Sequence, residues 1–80
     1  MSGKLLFRVE HYFDSTWLPV KVRLLESHNF ARHVEWHDAL DVATEYAQRE
    51  VENAKTRAPF RNNEFRVTDH IGTVHWKNAP

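Results

Sequence analysis

The 80-residue chain contains no cysteine. That removes disulfide staples and thiolate metal ligands, and it is compatible with a reducing compartment. Glycine is nearly absent too: only Gly3 and Gly72 occur. A phosphate-cradling loop needs several glycines so that backbone amides can approach the anion, and neither of these lies in such a motif. Three prolines and two glycines rule out a linker or a low-complexity segment. No apolar run approaches the roughly 20 residues of a membrane-spanning helix. Arg8 interrupts the start, so Met1 to Leu6 reads as too short for a secretory apolar region. There is no Asn-x-Ser/Thr acceptor site. The expected setting is the cytoplasm.

What is present points to one small domain. Eighty residues allow a single domain near the lower size limit for a self-sufficient core. Such a core rarely supplies more than about 3–5 kcal/mol, so small domains often rely on a staple or a partner. The 11 basic and 11 acidic side chains cancel, but they are not mixed. From Glu35 to Glu52 the acids are Glu35, Asp38, Asp41, Glu45, Glu50 and Glu52, against Arg49 alone. The remainder of the chain is correspondingly basic. Such segregation describes either an ordinary solvated helix face or a field that steers a partner.

Periodicity predicts an α+β domain. Leu5, Phe7, Val9 and Phe13 share one parity over Lys4 to Phe13, as on a half-buried strand. Asp14-Ser15-Thr16 has turn chemistry. Trp17 to Leu25 alternates again, with Leu18, Val20, Val22 and Leu24 on the inward parity, which completes a hairpin. Pro19 has no ladder donor and favours an edge. Glu26 to Asn29 reads as a loop, and Phe30 to Trp36 as a third strand with Val34 and Trp36 inward. A helix is expected from about Asp38 to Lys55, capped by Asp38. Its apolar stripe is Trp36, Leu40, Ala43, Ala47, Val51 and Ala54. Leu40 and Ala47 are expected to be buried against Phe7, Val9, Val20 or Val22. Pro59 ends the helix, and Thr56 to Asn63 is a basic connection. Strands at Glu64–Thr68 and Thr73–Trp76, joined by a turn at Asp69-His70-Ile71-Gly72, complete the chain. The expected fold is one amphipathic helix on an antiparallel sheet of four or five strands, in the order β-β-(β)-α-β-β.

Candidate chemistry is sparse. Ser2, Ser15 and Ser27 lie in terminal or turn-like contexts without a nucleophile motif. Six histidines are an unusual count, and His33 and His37 are four apart with His28 upstream. A Zn²⁺ site using Glu35 or Asp38 as a third ligand would need that spacing to fall on one helix. The layout divides it between a strand and a helix entry, so no metal site and no cofactor are expected. Nor is the protein expected to be an enzyme.

The stronger lead is the sheet face turned away from the helix. Leu6, Arg8, Tyr12, Trp17, Lys21, Arg23 and Leu25 fall on that parity, and the later strands add Arg66 and His75. Arg8, Tyr12, Trp17, Lys21, Arg23 and Arg66 form the candidate partner-binding set. Aromatic and Arg side chains anchor protein interfaces, and the same mixture stacks and neutralises single-stranded nucleic acid. Zero net charge favours the former, and a homodimer belongs to the same class of reading.

The layout from Trp36 to Trp76 places an Ala-rich helix before a V-T-D-x-x-G-T-V hairpin, Val67 to Val74. It resembles that of many short phage or prophage proteins. The resemblance carries no functional residue across. It implies a small non-enzymatic regulator or inhibitor that acts by binding a larger protein. The alternative is a single-stranded nucleic-acid-binding protein using the same face.

Overall fold

A computed structural model describes residues 4–57 and 63–78. Alternation in the first segment produces β1 (Phe7–Phe13), which turns through Asp14 and Ser15 into β2 (Thr16–Pro19). Both turn residues have positive φ, 52° and 64°. This two-residue turn twists in the sense the flanking strands require. The other strands are β3 (Val22–Ser27), β4 (Phe30–Val34), β5 (Phe65–Asp69) and β6 (Val74–Lys77), with one helix, α1 (Leu40–Arg57), between β4 and β5. The expected connection around Pro59 falls mostly on 58–62, outside the described residues; Thr56 and Arg57 belong to the last turn of α1.

The class is α+β, with one helix packed on antiparallel sheet, as the periodicity indicates. The strands divide into a four-stranded sheet, β2-β1-β5-β6, and a separate ribbon, β3-β4. Pro19 ends an edge strand, consistent with its missing donor. The segment Trp17 to Leu25 is therefore not one strand. Its alternation continues, but its hydrogen bonding to β1 ends when Val20 donates to the Val9 carbonyl at 2.8 Å. Val22 then pairs with Val34 in the ribbon. The chain returns at His37, which exchanges two backbone hydrogen bonds with Phe7, at 2.9 and 2.7 Å. The ribbon is thus an arm inserted between two residues, Val20 and His37, that are both tied to β1.

The core lies between α1 and the two central strands. Val9 and Val67 stand opposite each other in the β1–β5 register and are fully buried, with Phe7 and Phe65 beside them. Each such side chain contributes about 1.5–3 kcal/mol on burial. Ala43, Ala47 and Ala54 form the buried stripe of α1, and their small size lets the helix approach the sheet closely. Val20, Tyr46, Val51 and Trp76 pack at the margin.

Five expected core positions are corrected. Leu40 is 36% exposed, because it lies in the first turn, beyond the covered strands. Trp36 precedes the helix and turns to the opposite side of the sheet, against Arg8, leaving Tyr46 to complete the apolar helix face. Leu5, Phe13 and Leu18 have the inward parity yet stay exposed: Leu5 precedes β1, Phe13 ends it at the turn, and Leu18 lies on the edge strand β2, whereas α1 packs chiefly on β1 and β5.

Candidate interaction face

On β1 the outward parity is Arg8, Glu10 and Tyr12. The register sets Tyr12 beside Trp17 of β2 and Glu10 beside Arg66 of β5, which in turn pairs with Lys77 of β6. Strand pairing alone thus gathers an acid, two arginines, a lysine and two aromatic rings on the face away from the helix. Trp36 joins them from the segment before α1.

Glu10 is the centre of the arrangement and is 4% exposed. One carboxylate oxygen accepts from Arg8 Nη2 at 2.7 Å and Nε at 3.2 Å. The other accepts from Arg66 Nε at 2.7 Å. Arg8 also donates from Nη1 to Glu35, at 2.9 Å. The Arg8 guanidinium lies 4.6 Å from the Trp36 ring centroid, and that of Arg66 lies 4.2 Å from Trp17. The face is therefore a chain of contacts, Trp36–Arg8–Glu10–Arg66–Trp17. Tyr12 extends it at 5.1 Å from the Trp17 ring, and Lys77 reaches Trp17 from the far edge at 5.7 Å. Burial tends to lower the Arg8 pKa, but hydrogen bonds to Glu35 and Glu10 outweigh it and raise the value above the ordinary one. Charge-assisted bonds and stacked planar guanidiniums hold this surface in one geometry.

A shallow cleft of about 340 Å³ opens on the same face, lined by Arg8, Glu10, Trp36, Arg66 and Thr68 with the turn Asp69–Gly72 at its end. Asp69 organises that turn. Its Oδ1 accepts from the backbone N–H groups of Ile71, Gly72 and Thr73 at 2.9–3.0 Å, while Oδ2 lies 2.7 Å from His75 Nε2. The His75 contact, followed by the turn amides, holds the Asp69 carboxyl down at about 2 against the opposing effect of burial. Gly72 has φ of 107°, a conformation that suits glycine. His75 is the extra residue of a bulge in β6, and its ring meets Phe7 edge-on at 5.3 Å. It therefore ties the turn to the core and does not join the outer face.

Of the six candidate residues, Arg8, Tyr12, Trp17 and Arg66 are brought together. Lys21 and Arg23 are not: Lys21 lies in the connection after Pro19, and Arg23 on the arm. Glu10, Trp36 and Lys77 belong to the cluster without having been among the six. Arg8 and Glu10 sit two apart on one strand, so their shared face was readable, whereas Trp36 carried no signal beyond its hydrophobicity.

The histidines disperse. His28 is in the arm's turn, His33 is on β4, and His37 is 5% exposed beneath Tyr46, with Nε2 making no hydrogen bond. Among the described residues, no group of three or more His, Asp or Glu is placed to hold a metal ion, and no helix is long and apolar enough to cross a membrane.

No protein-family model, no curated protein and no solved structure matches the chain.

Proposed function

We propose that the chain is a small non-enzymatic regulator that binds a larger protein through the outer face of its four-stranded sheet. One observation carries the reading: the two arginines of this face are already neutralised by Glu10 and Glu35 and stacked on Trp17 and Trp36. With Lys77 included, three cations meet two carboxylates, so the face is close to neutral. A polyanion is bound by cations that can release its counterions, and these are largely spent within the protein. A protein partner instead rewards rigid, ordered Trp, Tyr and Arg side chains, because little conformational freedom remains to be lost on association. The shallow cleft beside Trp36 offers a recess for one anchoring side chain of the partner.

Single-stranded nucleic acid is the second reading, favoured by the exposed cations Lys21 and Arg23 and by Trp17 and Tyr12 as stacking surfaces. Co-purification from the native host followed by mass spectrometry supplies the partner. Titration of the protein against that partner and against a generic single strand, at two salt concentrations, then separates the readings. Protein binding with weak salt dependence is expected. Binding only to the single strand, falling steeply with salt, would overturn the proposal.

A further inference from the structure

The arm formed by β3 and β4 leaves the body between Val20 and His37, and its Leu24, Arg32 and Val34 line a cleft with Asp38, Val42 and Tyr46 at the start of α1. An isolated two-stranded ribbon is at best marginally stable in water. This one nevertheless exposes Leu25 at 69% and Phe30 at 56%. It is also basic. Lys21, Arg23 and Arg32 stand against Glu26, which is held by Arg32 at 2.9 Å, and Glu35, which is turned to Arg8 at 2.9 Å. The opposite sign lies on and just before the first half of α1. Asp38, Asp41 and Glu45 recur at three- and four-residue steps there, with Val42 exposed among them. Their ion pairs, Asp38 with Lys4 at 3.7 Å and Glu45 with Arg49 at 3.8 Å, are long and exposed, so those carboxylates remain available to a stronger partner.

We infer that two copies of the chain associate about a twofold axis, the basic apolar arm of each lying across the acidic start of the other's helix. Each copy carries both halves of the contact, which is the condition for a closed, self-complementary dimer. The alternative self-association, arm edge against arm edge, would bring Arg23 and Arg32 of both copies together, and like charges disfavour it. This contact uses the arm and helix and is independent of the outer sheet face.

Sedimentation velocity over a micromolar concentration range tests it, using the full chain and two charge-reversed variants. One carries Lys21→Glu and Arg23→Glu, the other Asp38→Lys and Glu45→Lys; all four positions are exposed. The parent chain should dimerise, less strongly at high salt. Each variant alone should self-associate about tenfold more weakly or worse. An equimolar mixture of the two should restore dimers, because both contacts of the mixed pair are again complementary. Leu25→Glu should abolish dimerisation while leaving the thermal midpoint and helical circular dichroism unchanged. A parent chain that stays monomeric throughout overturns the inference, as do variants that dimerise alone as well as the parent does. A mixture that remains monomeric overturns it too, since the two surfaces then do not meet.

Discussion

The Arg66 guanidinium lies 4.2 Å from the centre of the Trp17 ring while its Nε donates to Glu10 at 2.7 Å. One planar cation thereby fixes both the edge strand β2 and the buried acid of β1. Lysine offers a point charge without the fork or the flat stacking surface. Arg66→Lys is expected to lower stability by about 1 kcal/mol. It should also weaken partner binding more than Lys77→Ala does; chemical denaturation and titration measure the two effects.

Glu10 is shared by two cations, so removing its charge takes the carboxylate from Arg66 and leaves Arg8 with Glu35 alone. Their side chains are about a quarter exposed, and water screens part of the loss. Glu10→Gln should therefore cost about 2–3 kcal/mol, below the range for a fully buried pair. An unchanged denaturation midpoint would show that the chain of contacts does not support the sheet.

Acid should act in two stages. Burial holds the His37 pKa below its ordinary 6.5, with Asp38 offsetting only part of the effect. The unfolded chain then takes up the proton first, and the stability that neutral His37 provides above 6.5 is lost as pH falls below it. Asp69 is held at about 2 against an ordinary 3.8, so its contribution is present above 3.8 and disappears as pH falls towards 2 and below. The thermal midpoint should decline below pH 6.5 and more steeply below about 4. His37→Phe should remove the first stage, and Asp69→Asn the second. A midpoint that does not change on acidification contradicts both assignments.

Helix α1 approaches the sheet through alanine, so added volume is the sensitive change. Ala47→Leu should cost about 1–3 kcal/mol by overpacking against the sheet. Leu40→Ala, at a partly exposed first-turn position, should cost less than about 1.5 kcal/mol, well below a core truncation. Equal losses would mean that the covered face has been misplaced.

The helix, the turns at Asp14-Ser15 and Asp69–Gly72 and five of the six strands could be read from periodicity and turn chemistry, because those signals are local. The division of Trp17 to Leu25 between two sheets could not. Alternation at Leu18, Val20, Val22 and Leu24 continues across the break, and only the loss of hydrogen bonding after Val20 reveals it. That one break removes Lys21 and Arg23 from the outer face, while Arg8, Tyr12, Trp17 and Arg66 stay together through register. Trp36 went astray for a related reason: three- and four-residue spacing assigns a face only inside the helix, and Trp36 precedes it. The Asp69–His75 link depends on a bulge that period two cannot show.

The proposed function stands on Trp17 as an anchor of the outer face. The most direct measurement is the affinity of the parent chain and Trp17→Ala for the co-purified protein, with thermal unfolding of both. Trp17 lies on an edge strand and is only half-buried, so the variant should remain folded. Its binding is expected to weaken by about 2 kcal/mol, roughly 30-fold. Equal affinity of a folded Trp17→Ala variant for the partner would contradict the account.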